Sequence, residues 1–245
     1  MGAILFDLGE TLIHLDQGDK QRIEKGRFEA VQTYLSGRGY YFTADALREV
    51  YSKSVEALSD GAEKEVHIQS IFAEVIKRLR VDASSIDLGE LEVVFYQGEV
   101  EAWTLFPDAV PCLEYALSAG FKLGLVSNAR SDWAVKEILK RLRLDRYFGV
   151  VVTSAQVGLR KPAPEPFVKA LEALNEEPGE AAFIGDTFSA DIVGAKRIGM
   201  RAIYLNRNDD PKSMDCGITP DYTVRDLVEG IEVIRVLSRI IKARG

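Results

Sequence analysis

Apolar positions along this chain follow two different rhythms. Ala3-Ile4-Leu5-Phe6 is an unbroken apolar run that ends at Asp7, passes through a turn bearing Gly9 and resumes at Leu12. A short run of this kind predicts a buried strand whose C-terminal end delivers a carboxylate into a loop. Helical spacing then takes over. Asp19 to Ser36 carries Ile23, Phe28, Val31 and Leu35 on one face, and Gly37 and Gly39 end it. Thr43 reads as the N-cap of a second helix with a stripe of Leu47, Val50, Tyr51, Val55 and Leu58. A third helical pattern covers Glu63 to Leu79 and a fourth runs from Leu88 to Trp103, while Leu105-Phe106-Pro107-Asp108 reads as a boundary or hinge.

Beyond Pro107 the rhythm alternates. Helices over Val110 to Ala119 and Ser131 to Leu142 are each followed by an apolar strand pattern, Lys122 to Val126 and Gly149 to Thr153. Ala181 to Ile184 and Arg201 to Leu205 continue the series, and Leu227 to Ile241 has the stripe of a closing helix. Strands alternating with helices imply a parallel sheet covered on both faces. Ala3 to Phe6 has no strand neighbour nearby in sequence, so it is expected to join these later strands. The helical stretch between is then an insertion into an α/β fold.

A chain of 245 residues can bury a substantial core as one large domain or as a core with an inserted second one. With 47% hydrophobic and 28% charged residues it reads as an ordinary globular protein, and no apolar run reaches the length of a bilayer crossing. Asp7 stands where a secretory signal has its apolar centre and no basic residue precedes it; Gly2 is followed by Phe6 where myristoylation needs Ser or Thr. The expected location is therefore cytoplasmic. A net charge of −7 disfavours a nucleic-acid surface but leaves room for a small phosphorylated ligand held by local donors. Cys112 and Cys216 form neither a disulfide framework nor a metal spacing, and Cys112 reads as a core thiol.

The predicted strand ends present Asp7, then Ser127-Asn128, then Asp186 followed by Asp191, with Lys161 in the loop Gly158-Leu159-Arg160-Lys161-Pro162. The C-terminal edge of such a sheet is where ligands bind. Singly, Asp7 also reads as a turn cap, Asp191 as a helix cap and Lys161 as surface charge. If the three aspartates converge with only Lys161 beside them, mutual repulsion raises their pKa values unless a cation is bound. A hard divalent ion with oxygen ligands, Mg²⁺ foremost, meets that need.

In combination and order, the four motifs from Asp7 to Asp191 resemble those of the haloacid dehalogenase-like hydrolase superfamily, in its phosphoglycolate phosphatase-like branch. The resemblance implies a doubly wound, Rossmann-like parallel sheet formed by residues 1–14 and 104–245, with a helical cap of the C1 type over residues 15–103. It implies a phosphatase in which Asp7 attacks phosphorus to give an aspartyl-phosphate. Ser127 and Asn128 would contact or position the phosphoryl group and Lys161 would neutralise its charge. Asp7, the Gly9 carbonyl, Asp186 and Asp191 would hold Mg²⁺. Thr11, grouped with the ligand-side residues, reads as a hydroxyl ordering the loop.

One position departs from the pattern. Phosphatases of this family carry a second aspartate two residues after the nucleophile as general acid and base, and here Gly9 stands there. General acid–base catalysis contributes roughly 10² to 10⁴ in rate, so the loss points to a slow enzyme or one limited to good leaving groups. Glu10 is the nearest replacement carboxylate, though it reads equally as a solvated turn residue, and His14 follows closely enough to reach a cleft, though a surface imidazole is its default reading. Two further readings share the gap at Gly9. One is a metal-independent 2-haloacid dehalogenase, against which the retained Gly185-Asp186 speaks. The other is a non-catalytic relative that binds a phosphorylated ligand, against which the retained Asp7, Ser127, Lys161 and Asp186 speak.

Overall fold

A computed structural model describes residues 2–59, 61, 63–208 and 217–242; Cys216 lies outside the described residues. The opening run is strand β1 (Ala3–Phe6). A two-residue strand β2 (Ile13–His14) follows, then four helices: α1 (Gln17–Ser36), α2 (Ala44–Leu58), α3 (Ile68–Arg78) and α4 (Leu88–Ala102). The chain returns through β3 (Thr104–Leu105), which pairs antiparallel with β2. Then come α5 (Ala109–Ser118), β4 (Lys122–Ser127), α6 (Asp132–Arg141), β5 (Val150–Thr153), a single turn α7 (Ser154–Val157), α8 (Glu165–Leu174) and β6 (Ala181–Gly185). The chain ends with a π-helical turn over Phe188–Ile192, α9 (Val193–Arg197), β7 (Arg201–Leu205), β8 (Tyr222–Val224) and α10 (Leu227–Lys242).

The main sheet has the order β5-β4-β1-β6-β7-β8, and every neighbouring pair is parallel. This is the doubly wound α/β fold that the alternation predicts. β1 lies at its centre, with Ile4 registered against Leu123 on one side and Ala182 on the other. Its residues serve two layers: Ile4 and Phe6 pack with α5, α6 and α10, whereas Ala3 and Leu5 pack with α8 and α9. That explains the unbroken apolar run, since a strand covered on both faces has no solvent side to alternate with. Cys112 on α5 is fully buried and unpaired, and burial pushes its thiol up to about 12. No helix among the described residues is long and apolar enough to cross a membrane.

The four helices pack around Phe95, whose ring meets Phe28 at 5.6 Å, Tyr51 at 5.3 Å and Phe72 at 5.2 Å between centroids. Buried apolar contact runs without a break from this cluster to the sheet. Thr43 caps α2 as its sequence suggests, accepting from the Ala46 amide. The third helix starts later than its pattern: Glu63 to Glu65 is spent on the loop before Lys161. Lys64 bridges Leu159 in antiparallel fashion, the Glu65 amide donates to the Gly158 carbonyl at 2.9 Å, and the Arg160 amide donates to that of Glu63 at 2.7 Å. His67 then caps α3. Glu65 is itself buried, accepts from the Ser154 hydroxyl at 2.8 Å and faces Arg130 and Arg160, so its charge is compensated.

Because Phe6 is fully buried beside the central register, Phe6→Ala is expected to lower the unfolding free energy by roughly 3–5 kcal/mol. Val228→Ser, at a 59% exposed position, should stay within about 0.5 kcal/mol. Denaturant unfolding of both variants checks the contrast.

Candidate active site

Parallel strands that end at the same edge bring their following residues together, and here that edge collects distant charges. Asp7 follows β1, and its amide donates to the Ile184 carbonyl of β6 at 2.9 Å, which continues the sheet pairing one residue further. β6 ends at Gly185, and Asp186 follows. Gly185 has no room for a Cβ, because the Asp191 side chain lies against it. That close approach lets the turn fold back so that the Thr187 amide donates to Asp191 Oδ2 at 2.9 Å.

Lys161 is the cation of this cluster and is only 3% exposed. Its Nζ lies 2.6 Å from Asp7 Oδ1 and 2.7 Å from Asp191 Oδ1, and donates to the Val126 carbonyl at 2.8 Å. Asp7 and the Val126 carbonyl accept from this ammonium, while Asp191 Oδ1 pairs with it by charge and is left without a hydrogen bond. Burial alone would discharge it, but Asp191 and Asp7 outweigh burial and hold its pKa above the ordinary value. Asn128 fixes the backbone that carries it: the Asn128 amide nitrogen donates to the Lys161 carbonyl at 3.0 Å, and the Lys161 amide donates to Asn128 Oδ1 at 2.8 Å.

Carboxylate oxygens of Asp7, Asp186 and Asp191 lie within 4.8 Å of one another. One ammonium does not balance three such charges. Burial, then Asp7 and Asp191, push Asp186 up to about 7, although the Thr11 hydroxyl works the other way by donating to Asp186 Oδ1 at 3.2 Å. Burial also raises Asp191, to about 6, despite Lys161. The local field thus favours one more positive charge, and the donors present are hard oxygens of the kind Mg²⁺ takes.

A cavity of about 650 Å³ opens on this cluster. Asp7, Ser127, Asn128, Lys161, Asp186 and Asp191 all reach it. Thr11 does not: it is fully buried behind the acidic loop, so the expectation that it stands with ligand-contacting residues is revised to one of ordering Asp186. Asn128 reaches the cavity with both ends of its amide already engaged by Lys161. His14 is absent from the lining. It lies in β2, 3.1 Å from the Thr104 hydroxyl and 4.6 Å between ring centroids from Phe106, which corrects its reading as a cleft residue.

Glu10 lines the cavity in a left-handed conformation (φ 56°), with its carboxylate 2.7 Å from Lys20 of α1. The opposite wall holds two residues that no motif points to, Glu99 and Trp103 at the end of α4. Glu99 pairs with Arg27 at 3.0 Å and accepts from the Trp103 indole N–H at 3.4 Å. The only sequence signal for them is their position just before the chain returns to the sheet.

The resemblance is matched by comparison with known proteins. Over 242 residues the chain is 28% identical to a glyceraldehyde 3-phosphate phosphatase of Methanopyrus kandleri, covering 97% of this chain and 98% of that one. It is 33% identical over 201 residues to a phosphoglycolate phosphatase of Aquifex aeolicus, covering 82% and 83%. The crystal structure of an HAD phosphatase from Thermococcus onnurineus superposes with a TM-score of 0.66 at 27% identity, over 96% of this chain and 98% of that one. The sequence model for haloacid dehalogenase-like hydrolases matches residues 1–199, and the chain belongs to that family of hydrolases.

Proposed function

We propose that the chain is a Mg²⁺-dependent phosphomonoester hydrolase that works through an aspartyl-phosphate on Asp7. The observation that carries this reading is the charge arrangement at the end of β1: a nucleophile-grade carboxylate held at 2.6 Å by a buried lysine, beside two acids whose pKa values are raised. The glyceraldehyde 3-phosphate and phosphoglycolate phosphatases among its relatives support a small phosphorylated metabolite as substrate. A cavity of about 650 Å³ suits such a ligand.

Asp7 Oδ1 is tied to Lys161, which leaves its other oxygen to attack phosphorus. Lys161 would hold the negative charge that builds on the transferring group, and Ser127, at the end of β4, would donate to its oxygens. Asp7, Asp186, Asp191 and the Gly9 carbonyl would hold Mg²⁺. Asp191 Oδ2 accepts from the Thr187 amide, while its buried Oδ1 faces Lys161 at 2.7 Å without a hydrogen bond, so Asp191 would both position the lysine and offer an oxygen to the ion. Bound there, Mg²⁺ would supply further charge stabilisation for the phosphoryl oxygens. Residues 15–103 would form the cap, with residues 1–14 and 104–245 as the core. The reading includes a cytoplasmic location and, at a net charge of −7, no nucleic-acid partner.

Asp7→Asn is expected to lower phosphate release from small phosphomonoesters by at least about 10³-fold, and EDTA to abolish it in the parent protein. Undiminished release from Asp7→Asn, or EDTA-resistant turnover with consumption of 2-chloropropionate, would contradict the proposal.

The raised acids also predict a pH signature. Between the ordinary carboxylate range and about pH 7 the folded, metal-free protein holds more protons on Asp186 than the unfolded chain does, so this group's contribution to stability falls as pH rises through that window. Asp186→Asn should therefore raise the melting temperature of metal-free protein at pH 8, do so less at pH 5, and remove the stabilisation that Mg²⁺ gives the parent. Thermal unfolding with and without Mg²⁺ at both pH values measures this.

A further inference from the structure

Gly9 faces the indole of Trp103. A Cβ built on Gly9 would lie 3.4 Å from Trp103 Cη2, and no other described atom outside the adjoining residues comes within 4 Å. The indole is not free to swing away. Its N–H donates to Glu99, which Arg27 holds in turn, and the Trp103 carbonyl accepts from Arg141. Apolar side chains complete this end of the cavity: Leu8 and Ile13 beside the nucleophile loop, Val135 and Ile138 on α6.

The cavity is thus acidic at the Asp7 end and largely apolar around Trp103; Arg160, Thr187 and Ser189 also line it, but a guanidinium or an alcohol holds its proton too tightly to serve as a general acid near neutral pH. Its carboxylates beyond the Asp7, Asp186 and Asp191 cluster are Glu10, paired with Lys20, and Glu99, paired with Arg27. No histidine, cysteine or tyrosine among the described residues lines it.

We infer that Trp103 is the specificity-determining residue of the site: its ring edge stands in van der Waals contact with the place where a side chain at position 9 would start, which limits how a carboxyl there could turn, and it lines the cavity as an aromatic surface for the leaving group. The substrates selected are phosphate esters whose leaving group departs without a proton and stacks on an indole, that is, aryl phosphates. This rests on the phosphatase reading above and narrows it. In the first step an Asp7 oxygen bonds to phosphorus as the bond to the aryl oxygen breaks. The electron pair leaves on the aryloxide, which takes its proton from solvent afterwards. Water then attacks the same phosphorus, the bond to Asp7 breaks, the pair returns to the carboxylate, and inorganic phosphate departs with one proton released to solvent. An alkoxide is a far stronger base than an aryloxide, so an alkyl ester passes the first step more slowly. Stacking on the indole adds selectivity for a flat leaving group.

The test compares kcat/KM for phosphate release from phenyl phosphate and cyclohexyl phosphate by the full chain with Mg²⁺, because kcat/KM reports the first transfer. The parent protein should favour the aryl ester by roughly 10² or more, the range a missing general acid accounts for. Trp103→Ala should raise KM for the aryl ester. Gly9→Asp alone should narrow the aryl-to-alkyl ratio by less than about tenfold, since the indole restricts the new carboxyl, whereas Gly9→Asp with Trp103→Ala should narrow it by about 10²-fold. The ratio does not depend on how much of a variant is folded. Aryl and alkyl rates within about tenfold in the parent, or Gly9→Asp alone narrowing the gap as far as the pair, would overturn the inference while leaving the phosphatase reading intact. Release from neither ester, nor from 4-nitrophenyl phosphate, would remove both.

Discussion

The site depends on one electrostatic imbalance. A single buried ammonium, Lys161, stands between Asp7 at 2.6 Å and Asp191 at 2.7 Å, with Asp186 close by and, among the described residues, no second cation in the cluster. Two carboxylates face the lysine; burial, with the charges of Asp7 and Asp191, pushes the third, Asp186, up to about 7. A buried pair of this kind contributes little net stability, because desolvation offsets its attraction. What it supplies is a nucleophile in a fixed place and a field that draws a divalent ion. The sheet makes this possible: β1, β4 and β6 end together, and the loop from β5 carries Lys161 across the gap, held at its backbone by Asn128.

The helical segment takes part in the same balance. It is attached to the nucleophile side through β2, β3 and the Glu10–Lys20 pair, and to the lysine loop through Lys64, Glu65 and their partners at Gly158 to Arg160. A second set of charges, Arg27 and Glu99, orients Trp103 toward Gly9. The acidic cluster and the apolar wall thus face one another across a single cavity, one shaped for a phosphoryl group and the other for what leaves it.

Much of this was legible along the chain. Ala3 to Phe6 had to be central, since its four apolar residues leave no face for solvent, and Asp7 and Asp186 announce themselves as polar residues that end apolar runs. The sequence could not disclose depth or direction. Thr11 reads as a hydroxyl that orders the loop, yet nothing along the chain says that it is fully buried against Asp186; His14 sits near the loop in sequence but turns toward Thr104 and Phe106. Glu63 to Glu65 has helical spacing, yet its backbone is used by a strand-like pairing almost a hundred residues away in sequence, a non-local contact that outweighs local propensity. Trp103 reads along the chain as the last turn of a helix, because nothing in its neighbourhood records what lies opposite.

Covalent phosphorylation of Asp7 when the charge balance is completed is the event on which the proposed chemistry turns. Rapid acid quench during turnover of 4-nitrophenyl phosphate, followed by mass spectrometry of the peptide containing Asp7, reads this. The account predicts a phosphoryl adduct on Asp7 with Mg²⁺ present and none with EDTA. Phosphate released with no adduct on Asp7, or the same adduct with and without Mg²⁺, would contradict it.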